Sequence, residues 1–193
     1  MAVATRKLTF DEYLTYTDGT DTRYELVDGE LVAMGIGSGL HGAILKFLER
    51  VFDAEIARLG LDLVALQAAV GVRSPRGGRW DTSRIPNVSV IEASQWQALR
   101  SQEAIIELNE PPPLLVVEVV STSTRSTDYR AKRAEYTVLG ISEYWIVDPE
   151  QSQVTVLTLV DDWYESAEYI EDEQIDSTLF PELKLTVSDI LNS

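Results

Sequence analysis

One stretch limits the folds open to this chain more than any other: Leu114-Leu115-Val116-Val117-Glu118-Val119-Val120, preceded by Pro111-Pro112-Pro113 and followed by Ser121-Thr122-Ser123-Thr124. An unbroken β-branched run between turn residues reads as a strand covered on both faces. Such strands belong to α/β architectures in which helices pack on the sheet. Within the run stands a carboxylate. Burying an ionised carboxyl group costs several kcal/mol unless it is paired or bound to a metal, so Glu118 is a candidate for chemistry.

At 193 residues, with 45% hydrophobic and 25% charged residues, the chain is expected to form one globular domain spanning residues 1–193. No apolar run approaches the length of a membrane span, and Met1 to Lys7 lead into no signal-peptide core. A cytoplasmic location without membrane contact is the expectation. The absence of cysteine excludes disulfides, thiolate nucleophiles and cysteine-based zinc sites. A metal would need oxygen ligands or the single histidine, which points to Mg²⁺ or Mn²⁺. A net charge of −16 argues against a general nucleic-acid coat. The charge is unevenly spread, however. No Lys or Arg occurs from Ala134 to Leu183, whereas Arg73, Arg76, Arg79 and Arg84 fall in one segment and Arg125, Arg130, Lys132 and Arg133 in another. These segments are either a basic rim on an acidic body or solvated surface arginines.

Thr9 or Asp11 caps a short helix reaching Tyr16. Tyr24 to Val27 and Glu30 to Met34 alternate around Asp28-Gly29, a strong hairpin signal, and that turn places Glu25 opposite Val32. Leu40 to Leu59 has helical periodicity and ends at Gly60. Leu61 to Val72 and Ile85 to Glu92 read as strands separated by the turn-rich Ser74 to Gly78. A short helix and loop is expected over Gln95 to Glu107. After the Glu118 strand come a helix from Ser126 to Leu139, a strand Glu143 to Pro149, a meander over Gln153 to Leu159 and Trp163 to Ile170, and a last helical turn at Val187 to Leu191. The order predicts an α/β sandwich around a mixed β-sheet flanked by helices, with an N-terminal hairpin and a C-terminal β-meander.

At about 100° per residue, Tyr129, Lys132, Tyr136 and Leu139 share one stripe, so the Lys132 amine points toward the core. Asp128, four residues earlier, reads as its ordinary surface partner. Asn87 follows Pro86 at the entry to a strand and begins a face with Ser89 and Ile91; by itself this is a turn-to-strand asparagine.

Taken together, Pro86-Asn87, Glu118 within its apolar strand, Lys132 on the next helix and Glu143-Tyr144-Trp145-Ile146-Val147-Asp148-Pro149 resemble the PD-(D/E)XK nuclease superfamily. The closest likeness is to its Uma-type branch of bacterial restriction endonucleases. It extends from the Tyr24 to Glu30 hairpin to the Trp145 strand. The resemblance implies a restriction-endonuclease-like fold and Mg²⁺- or Mn²⁺-dependent hydrolysis of DNA. Glu118 would be the principal metal ligand and Asn87 the second. Lys132 would orient the attacking water, and Glu25 would be an auxiliary acid. The usual lysine two residues beyond the acid is replaced by Val120, consistent with its migration to Lys132. The usual aspartate is Asn87, a neutral oxygen that weakens any metal site. Partners would be DNA and a second copy of the chain as a homodimer. The alternative is a non-catalytic protein that keeps the nuclease fold and acts through partner binding or oligomerisation.

Two further features are weaker. His41 lies at the centre of the stripe formed by Leu45, Leu48, Phe52 and Leu59, as a core histidine or as support for the site; no G-x-S-x-G exists to make it a hydrolase base. Gly37-Ser38-Gly39-Leu40-His41-Gly42 fits G-x-G-x-x-G, with Asp62 some distance on. Its preceding strand is half of a tight hairpin, which is the wrong context for dinucleotide binding.

Overall fold

The computed structural model describes residues 6–75 and 81–193. Arg76, Arg79, part of the Ser74 to Gly78 turn and the first five residues of the N-terminal stretch lie outside the described residues. The first helix, α1 (Phe10–Leu14), is short and closed by a reciprocal capping box between Thr9 and Glu12. Strands β1 (Tyr24–Val27) and β2 (Glu30–Ala33) form the expected hairpin with Glu25 opposite Val32. Asp28 and Gly29 have φ of 50° and 79°, the pair of positive values required by a type I′ turn. Helix α2 (Gly39–Leu59) is capped by the Ser38 hydroxyl and stopped by left-handed Gly60.

One expected strand divides and another is shortened. Leu61 to Val72 becomes β3 (Leu63–Gln67) and β4 (Gly71–Ser74). The strand expected over Ile85 to Glu92 is β6 (Val88–Glu92), preceded by β5 (Thr82–Arg84) within a stretch read as a connection. The break in each pair is a corner at which the chain passes from one sheet to another. Ala68, at φ 44°, donates its N–H to the Asn87 carbonyl at 3.0 Å, so the two corners brace each other. No Gly or Pro marks the Ala68 corner, and the hydrophobic run therefore read as continuous.

Helix α3 (Ala93–Leu99) and the two-residue β7 (Ile105–Ile106) precede β8 (Leu115–Val119), which is followed by a π-helical segment, Thr127–Lys132, running into α4 (Arg133–Leu139). Then come β9 (Glu143–Asp148), β10 (Gln153–Val160), β11 (Trp163–Ile170) and α5 (Val187–Leu191). The architecture is mixed α/β, and its strands form two mixed sheets rather than one. The first has order β2-β1-β5-β4-β7 and the second β11-β10-β9-β8-β6-β3. The C-terminal meander is β9-β10-β11.

β8 is an inner strand of the larger sheet, parallel to β9 and antiparallel to β6, and all five of its residues are buried. Its alternate side chains separate two cores. Leu115, Val117 and Val119 pack with Ile44, Leu48 and Phe52 of α2. Val116 and Val120 pack with Tyr136, Ile141 and Tyr144 on the opposite face. Glu118 shares the parity of Val116 and Val120, so the strand aims it at α4. No helix among the described residues is long and apolar enough to cross a membrane.

Candidate active site

Glu118 is 1% exposed and has two close partners, both from the helical segment that follows its strand. Its Oε2 is 2.9 Å from Lys132 Nζ. Its Oε1 accepts the Tyr136 hydroxyl at 2.8 Å. The Lys132 ammonium also lies 3.1 Å from Asp128 Oδ1, so it is held between two carboxylates on different elements. Lys132 points inward, as its place on the wheel predicts. Asp128 is not the surface partner the sequence indicated, because it is buried at 1% exposure. The wheel carried that signal: four residues before Lys132, Asp128 falls within the same broad stripe. The π-helical turn carries both residues, and such turns recur at functional sites.

Burial pushes the Glu118 carboxyl up to about 7; the Lys132 ammonium opposes this, and the charges of Asp128 and Glu25 reinforce it. Burial works against the charge on Lys132, yet the Glu118 and Asp128 carboxylates outweigh it and hold the amine above its ordinary range. Burial and the Glu118 charge also push the Tyr136 hydroxyl well up, so it remains a donor. His41 is half-buried, and burial lowers its pKa; the charges of Asp128 and Lys132 act on it in opposite senses. Its ring lies against Gly37, where a Cβ would come within 2.7 Å of the imidazole.

Asn87 precedes β6 rather than starting a strand face. Val88 pairs with Val117, and one further step along this register sets Asn87 beside Glu118. Its Oδ1 accepts the Val119 N–H at 2.8 Å, which spends one of its two lone pairs on the backbone.

Glu25 is buried, and both of its oxygens are engaged elsewhere. Oε1 accepts the Ile85 N–H at 3.0 Å and Oε2 meets Arg84 Nη1 at 3.1 Å. The hairpin does bring Glu25 close enough to act on Glu118 and Lys132 through its charge, but as a partner of Arg84. Arg84, 3% exposed, also makes a two-pronged contact with Glu135 of α4 at 2.7 and 3.0 Å. Its burial excludes it from a DNA-facing rim. Arg73 pairs with Asp81 and Glu107, and Arg125 with Asp148 and Glu150. Arg130 is exposed.

The G-x-G-x-x-G segment has a local explanation. Ser38 Oγ accepts the His41 N–H at 3.1 Å, and the preceding β2 is an edge strand of an antiparallel pair. Glu143 in the Trp145 strand is likewise structural. Its carboxylate accepts the Trp145 indole N–H and the Thr178 and Leu179 N–H groups, tying the C-terminal segment to β9.

The profile of the family described as "Uma2: Putative restriction endonuclease" matches residues 10–188. The chain belongs to the Uma2 family. A Synechocystis protein described only as uncharacterized is 27% identical over 150 residues, which span 77% of this chain and 79% of that protein. A crystal structure from Anabaena variabilis, described as "a putative nuclease belonging to DUF820", superposes with a TM-score of 0.74 at 22% identity. The match covers 96% of this chain and 98% of that one. The fold of this Uma2 member is thus shared with that protein over nearly its whole length.

Could these residues hold the divalent ion that the Uma-type resemblance implies? Among the described residues no group of three or more His, Cys, Asp and Glu side chains is arranged to hold a metal. Glu118 and Asn87 together offer one carboxylate and one neutral oxygen. Mg²⁺ commonly uses one or two carboxylates and completes its octahedron with water and substrate phosphate. The donor set therefore fits an ion that arrives with a phosphate, and not one held in a dedicated protein cage.

Proposed function

We propose that this chain hydrolyses DNA phosphodiester bonds as a divalent-metal-dependent endonuclease, with its reaction centre at Glu118. The observation that carries this reading is the 2.9 Å contact between Glu118 and Lys132, a carboxylate and an ammonium delivered into an apolar interior by two successive elements of a Uma2 protein. Bound Mg²⁺ or Mn²⁺ would acidify a water and neutralise charge on the phosphate. Glu118 would hold the ion, assisted weakly by Asn87. Tyr136 fixes the Glu118 carboxylate through its hydroxyl. Lys132 supplies a positive charge to the phosphoryl oxygens and orients the water. As the water oxygen bonds to phosphorus, the bond to the leaving sugar oxygen breaks, and that oxygen takes up a proton. Glu25, engaged with Arg84, contributes charge and support to the hairpin rather than a ligand.

The test is incubation of plasmid DNA with purified protein and Mg²⁺ or Mn²⁺. Cleavage is expected in wild type, loss of it in Glu118→Ala, and faster nicking in Asn87→Asp, which restores the missing charge. Cleavage that persists in Glu118→Ala overturns the assignment. One set of contacts favours a second reading, a non-catalytic protein on the nuclease fold. Both Glu118 oxygens already have partners, and the Asn87 oxygen is bonded to the Val119 amide. Inert wild type and inert Asn87→Asp protein would establish that reading.

A further inference from the structure

We infer that Asp128 is the second carboxylate ligand of the cation site at Glu118, a stronger donor than the neutral Asn87 oxygen, and that the Lys132 ammonium holds this site for a hard divalent ion such as Mg²⁺ or Mn²⁺. Three observations converge on it. First, Nζ of Lys132 lies 2.9 Å from Glu118 and 3.1 Å from Asp128, so a cation already stands between these two carboxylates. Second, Asp128 Oδ1 is buried, and apart from its 3.1 Å ion pair with the Lys132 ammonium it accepts no hydrogen bond among the described residues, so an ion that displaced the ammonium would find this oxygen uncommitted to the fold. Third, the other nearby oxygens already serve the backbone or Arg84. Asn87 Oδ1 accepts the Val119 N–H, and the Glu25 oxygens accept from Ile85 and Arg84.

Charge balance agrees. Two carboxylates around one ammonium leave a negative charge uncompensated in an apolar setting, whereas the same two carboxylates match a divalent ion. All-oxygen donors select a hard ion. The charge absent at Asn87 is thus supplied from the π-helical turn, by a residue four positions before the lysine that occupies the site. This assignment deepens the nuclease reading and rests on it for the use to which the ion is put.

Mn²⁺ binding, followed by loss of the free-ion electron paramagnetic resonance signal and by thermal denaturation, tests the inference without any appeal to cleavage. Asp128→Asn is expected to bind Mn²⁺ about tenfold or more weakly than wild type. Lys132→Met removes the competing ammonium. It is expected to bind Mn²⁺ more tightly than wild type and to gain more in melting temperature from the ion. A role for Asp128 confined to holding Lys132 in place would let that gain survive in the Asp128→Asn/Lys132→Met double variant, whereas a ligand role abolishes it. Should Asp128→Asn fail to fold, the double variant, which leaves no unpaired ammonium, decides the matter. Unchanged Mn²⁺ affinity in Asp128→Asn, or no greater Mn²⁺ response in Lys132→Met than in wild type, overturns the inference. Plasmid cleavage run in parallel separates the two readings. Mn²⁺ bound through Asp128 with plasmid left intact keeps the site and removes the nuclease. Cleavage with Asp128-independent Mn²⁺ binding does the reverse.

Discussion

Replacing Arg84 with methionine tests whether the ionic network beside the site is structural. The guanidinium is 3% exposed and makes three contacts of 2.7 to 3.1 Å with Glu135 and Glu25. Methionine fills similar volume but leaves two buried carboxylates without the cation between them. Removing one partner of a buried ion pair costs about 3–5 kcal/mol, because the remaining charge stays desolvated. For a chain of this size that corresponds to a fall in melting temperature of about 6–20 °C. Urea and thermal denaturation at neutral pH measure it. Combining Arg84→Met with Glu25→Gln should recover part of the loss, since the double variant no longer strands the Glu25 charge. A penalty below about 1 kcal/mol, the range of surface pairs, would refute the reasoning. Arg84→Lys should fall in between, because an ammonium cannot reproduce the fork that grips Glu135.

Tyr136→Phe should destabilise by about 1–3 kcal/mol, read from the urea midpoint, because Glu118 Oε1 loses its hydroxyl donor in a buried setting. The pH dependence of stability follows from the same carboxyl. Its folded pKa, about 7, exceeds its ordinary value of 4.5, so the folded protein holds a proton that the unfolded chain has released. Stability therefore declines as pH rises from about 4.5 to 7, by up to about 3 kcal/mol. Glu118→Gln should flatten that slope, and an unaltered slope in the variant would disprove the origin. Lys132 acts elsewhere on the pH scale. Its raised pKa contributes stability that is fully present below its ordinary value of 10.5 and is lost only above it.

The sequence made some features plain because one local rule decided each. The Asp28-Gly29 turn fixed the hairpin register, Gly60 and Gly140 stopped their helices, and the apolar run around Glu118 announced a strand covered on both faces. Lys132 was legible because a 3.6-residue period is a strong geometric constraint. The corner at Ala68 was not, because a strand that changes sheets keeps its hydrophobicity and needs no Gly or Pro where another backbone braces it, and the corner at Pro86-Asn87 was not, because a proline there reads equally well as the entry to a strand. Asp128 was misread, and the pairing of Glu25 with Arg84 missed, for a related reason. A charged residue on a short strand or helix defaults to the surface, and only tertiary partners reverse that. Arg84 buries Glu25 from 59 positions away. Asp128 lies in the same stripe as Lys132 even on a regular wheel, but the four-residue spacing read first as an exposed pair.

The charge distribution constrains how DNA could be held. With a formal charge of −16, the body of the protein repels a polyanion at long range. The basic segments recover less than their sequence suggests, because Arg73, Arg84 and Arg125 are paired with carboxylates and Arg133 donates to the Tyr164 carbonyl. Exposed Arg130, even joined by Arg76 and Arg79, offers about three phosphate contacts, and each contributes roughly −0.9 to the slope of log affinity against log salt. Added salt also screens the repulsion from the acidic body, which flattens the curve further. The expected slope is thus shallower than about −3 on duplex DNA. Fluorescence anisotropy of a labelled duplex across a potassium chloride series measures it. A slope steeper than about −5 would require a continuous basic surface, and the pairing of these arginines with acids would then have to break when DNA binds.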